Sequence, residues 1–240
     1  MNDRLPETEL ANWAFLSPQN KRDAIEKFVQ PKRIPGSYEP FREVLADTVN
    51  KLLPLFAMID QPSTPWSEVE RRIRAHPRCR RDIDTLTMNL DIARATHKYA
   101  EREKITAIPV DVTLLTFGVG HQYQFGLSLL MRYPERVASI FLDMRRSNGL
   151  SVKGREWVFA AQHERYRVAY PDLSTIDLQI WKYRANVDRT IVPFTASKIT
   201  ISYDELVADV RETYDIYASV LVGDRNKKRR SSVGWGPLGD

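Results

Sequence analysis

The stretch Thr175-Ile176-Asp177-Leu178-Gln179-Ile180-Trp181 alternates polar and apolar side chains up to Ile180. A period of two residues predicts a β-strand that buries one face. Residues 189–194 and 198–201 are also β-prone, and short polar turns separate them from the first stretch and from each other. We therefore expect a small antiparallel β-meander near the C-terminus.

The segment after the meander predicts a closing helix. Ser202 and Glu205 have the spacing of a capping box, in which both side chains bond to the first turn of a helix. Apolar residues then recur at helical spacing from Leu206 to Leu221. Gly223 follows, and glycine is a residue type at which helices often end.

Helical periodicity dominates the chain before the meander. The predicted helices cover residues 23–29, 40–60, 67–76, 80–104, 123–133, 135–144 and 152–170. A buried strand is predicted over 109–117, with a short core helix as the alternative. The predicted fold class is therefore α+β, mostly helical in the N-terminal two thirds, with the meander and the closing helix behind it.

The same pattern suggests how the chain is organised. We expect a helical region over 1–104, an α+β region over 105–224 and a basic flexible tail over 225–240. A single compact domain over 1–224 is the alternative. No internal repeat divides the chain further.

Composition excludes several classes of protein. Of the 240 residues, 42% are hydrophobic and 28% are charged, which is typical of globular domains rather than disordered chains. The single cysteine, Cys79, has no partner for an internal disulfide. No apolar run approaches the ~18–20 residues that a membrane helix needs. The sequence thus predicts a soluble cytoplasmic protein without a membrane partner.

The net charge of +5 comes from two short segments. Residues 71–81 contain six arginines and no acid, and residues 225–230 contain five more cations. The rest of the chain has 25 basic and 31 acidic residues. Two cationic segments on an otherwise acidic body predict contact with a polyanion, most simply the phosphates of a nucleic acid.

We therefore expect the binding residues among the cations of these segments and of the predicted meander. The candidates are Arg71, Arg72, Arg74, Arg78, Arg80, Arg81, Arg184, Arg189, Lys227, Lys228, Arg229 and Arg230. The alternative for residues 71–81 is a helix face whose arginines pair with nearby acids, among them Glu68, Glu70 and Asp82.

Aromatic residues of the meander add a second candidate surface. Alternation places Trp181 and Tyr183 on the face opposite Leu178 and Ile180. If the aliphatic face is the core, the aromatic face is partly exposed. Such a face would stack bases, or would anchor a protein partner.

Residues 105–143 resemble the nucleophile-elbow region of the α/β-hydrolases. The strand-like run ends in Gly118-Val119-Gly120-His121-Gln122-Tyr123, and a predicted helix follows. In that family the elbow places a serine between two glycines. Here Gln122 stands where the serine would be and Gln124 where the second glycine would be, and no histidine follows His163. The resemblance therefore implies a related fold without the hydrolase nucleophile.

The other catalytic motifs in the sequence are incomplete. Arg71 and His76 match the spacing of HEPN-type ribonucleases, and His163 with Glu164 provides residue types for acid–base or metal-dependent cleavage. Cys79 lies among arginines that would favour a reactive thiolate. No motif for zinc, nucleotide or dinucleotide binding is complete, so we expect no cofactor and no metal.

The sequence as a whole favours a non-catalytic, nucleic-acid-associated accessory protein that works within a larger assembly. One alternative is a protein–protein adaptor whose basic segments meet an acidic partner. The other is a nuclease that uses Arg71 and His76, or His163 and Glu164.

Overall fold

A mixed β-sheet of five strands forms the centre of the protein. The computed structural model describes residues 4–30, 37–51, 64–145, 149–186 and 188–232, with side chains up to residue 223. The strands in chain order are β1 Thr106–Pro109, β2 Leu115–Thr116, β3 Gln122–Tyr123, β4 Leu129–Arg132, β5 Val137–Asp143, β6 Asp177–Tyr183 and β7 Ile191–Thr195. The sheet has the order β1-β4-β5-β6-β7, and β2 and β3 form a separate hairpin.

Helices account for most of the remaining described chain. They are α1 Glu7–Trp13, α2 Pro18–Val29, α3 Glu39–Thr48, α4 Trp66–Ala75, α5 Pro77–Arg81, α6 Ile83–Glu103, α7 Val152–Gln162 and α8 Tyr203–Ser232. A π-helical turn, His163–Val168, extends α7. Within these described parts of the chain, no helix is both long and apolar enough to cross a membrane.

The sheet buries both of its faces. Leu178 and Ile180 pack into a hydrophobic cluster that also takes residues from α1, α2, α7 and α8. Trp181 and Tyr183 pack on the opposite face, into a cluster with residues from α3, α4, α5 and α6. Both aromatic side chains are fully buried. The predicted exposed aromatic face is therefore wrong, because a second layer of helices covers it.

The α+β class is confirmed, but two predicted helices are strands. Residues 129–132 and 137–143 form β4 and β5, which pair as an antiparallel hairpin. β5 then pairs in parallel with β6. Every residue of β5 after Val137 is buried. A central strand buried on both faces has no polar alternation, so its apolar run is easily mistaken for a core helix.

The predicted meander is only partly correct. β6 and β7 pair antiparallel as expected, but residues 198–201 form no strand. The predicted strand over 109–117 is divided between the end of β1 and the short strand β2. The parallel pairing of β5 and β6 makes the sheet mixed, which the sequence pattern did not indicate.

Local helix signals give a mixed outcome. The side chain of Ser17 caps α2, and Ser202 and Glu205 form the predicted capping box, with Ser202 N donating to Glu205 Oε2 at 2.8 Å. Ser67 and Glu70 have the same spacing and also predict a cap, but α4 begins one residue before Ser67, directly after Pro65, and no side chain caps it. The predicted helix over 40–60 is confirmed only up to Thr48, where α3 ends. Residues 49–51 are not helical, and the part from residue 52 onward lies outside the described residues.

The closing helix is longer than predicted. α8 continues through Gly223 to Ser232, so the predicted stop at Gly223 is wrong. A β-carbon at Gly223 would meet nothing within 4 Å, so no close packing requires glycine there. The division of the chain at residues 104 and 224 stays a prediction.

Candidate functional site

The arginines of residues 71–81 lie on α4 and α5, and four of them pair with carboxylates of the same chain. Arg71 pairs with Glu68 at 2.7 Å and Arg74 with Glu70 at 2.7 Å. Hydrogen bonds from these two arginines are the main cause that lowers the pKa of Glu68 and Glu70. The alternative interpretation of this segment, a helix face paired with nearby acids, is confirmed for both glutamates.

The other two pairs join α4 and α5 to α3. Arg72 pairs with Asp47, and Arg78 Nε lies 2.7 Å from Glu39 Oε2. All four pairs are largely exposed, so each contributes little to stability. They nevertheless neutralise much of the charge that the prediction of a polyanion site required.

Arg80 and Arg81 differ from the other arginines of the run. Both are exposed, and neither forms an ion pair with another described residue. The side chain of Ile83, at the start of α6, is 69% exposed beside them. We call Arg80, Arg81 and Ile83 the α5 corner. It combines guanidinium groups that have no ion partner in the described chain with an exposed apolar side chain.

The remaining predicted cations are dispersed. Arg184 is exposed in the turn after β6. Arg189 is buried, and its Nη2 donates to the carbonyl of Met144 at 2.6 Å. It serves to hold the end of β5 and is not a surface contact. Four further candidates lie on the described backbone of α8, beyond the described side chains: Lys227, Lys228, Arg229 and Arg230.

The structure does not bring the incomplete catalytic patterns of the sequence together into an active site among the described residues. His76 accepts a hydrogen bond from the Arg78 backbone at 3.2 Å and lies 3.6 Å from Glu43, while Arg71 is paired with Glu68. Among the described residues, no group of three or more His, Cys, Asp or Glu is placed to hold a metal ion. Gln122 lies in the β2–β3 hairpin rather than on a strand-to-helix elbow, so the resemblance to the hydrolase elbow is not reproduced.

Cys79 is buried in the cluster beneath α5. Burial, and secondly the negative charge of Asp82, raise the pKa of its thiol. The expected activation by neighbouring arginines is therefore wrong, because their guanidinium groups point to solvent and to carboxylates.

We predict that the native protein resists alkylation at Cys79. A raised pKa leaves less thiolate at neutral pH, so iodoacetamide should react roughly 100-fold more slowly than with the urea-unfolded chain. The rate should begin to rise only at a higher pH than for a free cysteine. Mass spectrometry of timed samples measures both effects, and equal rates in native and unfolded protein would contradict the prediction.

A cavity lies where β4 and β5 separate. Their pairing covers only Leu130–Arg132 against Val137–Ser139, while β5 continues to Asp143 beside β6. The cavity in this fork has a volume of about 560 Å³. Leu127 to Leu129 line one side, and Phe141 and Leu142 line the other. We call this space the fork cavity.

The wall of the fork cavity is held by three polar side chains, of which Arg165 and Tyr166 are buried and Glu7 is partly buried. The carboxylate of Glu7 accepts hydrogen bonds from the backbone N–H of Gln124 at 2.7 Å and of Phe125 at 3.2 Å. Arg165, in the π-helical turn, donates to the carbonyl of Gln124, and Tyr166 donates to the carbonyl of Leu127 at 2.7 Å. The loop over 124–128 is therefore a fixed wall.

Two arginines stand at the rim of the fork cavity. Arg4 pairs with Glu7 at 3.1 Å and lies over the ring of Tyr123. Arg42, on α3, is exposed and lines the cavity, and it forms no ion pair within the part of the chain that the structure describes. The base beneath them is apolar and includes Leu45 and Leu142.

The sequence pattern does not predict this cavity. Its residues come from segments around positions 4–8, 42–45, 124–129 and 141–142, which are far apart in the chain. The loop over 124–128 was interpreted as part of a helix. Gly126, with φ of +151°, was the one local signal against that helix, because other residue types rarely adopt this conformation.

The fold and the site together define an α+β protein with a preformed cavity and a charged corner on its described surface. The chain belongs to the family described as the sliding clamp-binding bacterial toxin SocB, whose model matches residues 8–228. It is 29% identical over 235 residues to the DNA replication inhibitor toxin SocB of Caulobacter vibrioides (strain NA1000 / CB15N), covering 96% of this chain and 95% of that protein. No solved structure matches the chain.

The comparisons overturn the predicted function. The family is described by its binding to a protein, the sliding clamp, and the relative by inhibition of DNA replication. The prediction of a nucleic-acid-associated accessory protein is therefore wrong, and the nuclease alternative falls with it. A protein partner is supported, whereas contact with nucleic acid is not shown.

Proposed function

We propose that this protein is a toxin that binds the bacterial sliding clamp and thereby inhibits DNA replication. The observation that carries the proposal is the family match over residues 8–228. The relative that inhibits replication aligns with almost the whole of both chains, so the likeness is not confined to one shared motif. This function is exercised in the cytoplasm, where the proposal therefore locates the protein.

The α5 corner is the surface of the described chain that we assign to the clamp. Arg80 and Arg81 have no internal partner among the described residues, so a contact with the clamp need not first break an ion pair. Ile83 provides apolar area next to them. Arginine is enriched among the few residues that carry most of the binding energy at protein interfaces.

The proposal predicts a direct complex with purified sliding clamp. Isothermal titration should give a saturable Kd of about 10 µM or tighter, in the range of specific protein complexes. Induced expression in the source bacterium should also stop incorporation of labelled nucleoside into DNA. Failure to bind the clamp and to slow DNA synthesis would contradict the proposed function.

The surface assignment is tested by charge reversal. Arg80→Glu together with Arg81→Glu should weaken clamp binding by roughly 10-fold or more, since interfacial arginines often contribute over 1 kcal/mol. Arg184→Glu, also an exposed arginine, is the matched control and should change the Kd less than about twofold. Clamp binding that survives the double reversal would remove the α5 corner from the interface and leave the proposed function intact.

A further inference from the structure

We propose that the fork cavity binds the carboxyl-terminal end of an extended peptide that carries apolar side chains. The cavity shares no lining residue with the α5 corner and is lined by α3, the segment around α1, the loop over 124–128 and β5. The inference does not depend on the proposed clamp binding.

The edge of β5 is the first argument. Residues 140–143 pair with β6 on one side, but the pairing with β4 ends at Ser139 on the other side. Beyond Ser139, the backbone groups of β5 that point away from β6 therefore have no strand partner among the described residues, and Phe141 and Leu142 line the cavity at this edge. A strand edge of this kind recognises an extended chain by adding it to the sheet through backbone hydrogen bonds.

The apolar base is the second argument. Leu45 and Leu142 are almost fully buried, and Leu129 lies beside them in the lining. The volume of about 560 Å³ falls within the range of ~300–1,000 Å³ that is common for ligand sites. The space suits the last few residues of a peptide, whose apolar side chains would pack on Leu127 and Leu129, the partly buried leucines of the lining, because Leu45 and Leu142 expose little surface.

The charged side chains at the rim determine which end of a peptide the cavity would bind. Glu7 compensates Arg4, whereas Arg42 has no anionic partner in the described chain. A guanidinium group binds a carboxylate through two parallel hydrogen bonds, which are stronger than hydrogen bonds between neutral groups. The rim therefore favours a free terminal carboxylate over an amide.

The cavity is also preformed. Glu7, Arg165 and Tyr166 hold the loop over 124–128 through its backbone N–H and carbonyl groups. Binding therefore costs little ordering of this wall, which favours affinity from a small contact area.

The test uses the full chain and a defined probe, the N-terminally fluorescein-labelled hexapeptide Gly-Ser-Thr-Val-Thr-Leu with a free carboxylate. Fluorescence anisotropy should show saturable binding with a Kd below about 1 mM. The same peptide with a C-terminal amide should bind about 10-fold more weakly, since it cannot form a charge-assisted pair. Absence of binding, or equal binding of both peptides, overturns the proposal.

Variants and spectra locate the probe. Arg42→Met should weaken binding of the carboxylate peptide about 10-fold, whereas the matched control Arg184→Met should leave it unchanged. Ser128→Trp should fill the cavity and abolish binding, with circular dichroism to verify folding. In two-dimensional NMR spectra the probe should shift the backbone amide signals of Phe141 and Leu142. Binding that leaves these two signals unshifted would place the peptide elsewhere and overturn the assignment.

Discussion

Replacement of Asp209 by alanine is expected to lower the free energy of unfolding by about 3–5 kcal/mol, because it removes the buried one of the two carboxylates that pair with a buried lysine and leaves two further donors without their acceptor. The second carboxylate, Glu212, lies 2.5 Å from Lys21 Nζ but is half exposed, so it compensates the buried charge only in part. Lys21 is fully buried on α2, and its Nζ lies 2.7 Å from Asp209 Oδ1. The same carboxylate accepts hydrogen bonds from the backbone N–H of Phe15 at 3.0 Å and from Trp157 Nε1 at 3.1 Å. One side chain of α8 therefore joins α2, α7 and the turn after α1.

Thermal and urea unfolding monitored by circular dichroism measure this effect. A loss of that size corresponds to a Tm lowered by roughly 6–20 °C for a chain of this length. Asp215→Ala is the matched control, since Asp215 is exposed on the same helix, and it should change stability by less than about 0.5 kcal/mol. Equal destabilisation by both variants would show that the buried carboxylate has no special role.

The parts of the fold that could be predicted are those decided by neighbouring residues. The cap at Ser17 and the capping box at Ser202 depend on atoms within three positions of each other. The strand β6 could be predicted because polar residues alternate with apolar ones along it. The strand β5 could not, because its residues are buried on both faces and its sequence shows no alternation of polar and apolar residues.

The same distinction between local and long-range contacts applies to the candidate sites. The arginines of residues 71–81 are conspicuous in the sequence, but two of their partners, Asp47 and Glu39, lie on α3, and no pattern joins them to the run. The fork cavity depends on Arg42 meeting the end of β5 about a hundred residues later. Such contacts arise from sheet order and helix packing, which a single sequence does not encode in local form.

Trp181→Ala is expected to destabilise the protein by about 3–5 kcal/mol, the usual cost of deleting a buried aromatic side chain. The indole is fully buried and contacts the ring of Tyr99 edge-on at 5.3 Å between centroids. Its Nε1 donates to Gln179 Oε1 at 3.2 Å. Trp181→Phe retains most of the apolar contact and should cost clearly less, whereas Ile83→Ala at an exposed position should change stability by under about 0.5 kcal/mol.

The alternating pattern of β6 predicts an exposed Trp181, whereas the structure buries this side chain. The two therefore lead to opposite expectations for Trp181→Ala. An exposed aromatic anchor would lose partner binding when truncated, with little change in Tm. A side chain buried between β6 and α6 lowers the Tm first, and clamp binding then falls only with the fraction of folded protein. Unfolding curves and clamp titrations on the same Trp181→Ala preparation separate the two. An unchanged Tm with lost clamp binding would mean that the helices over this face of the sheet open to admit the partner.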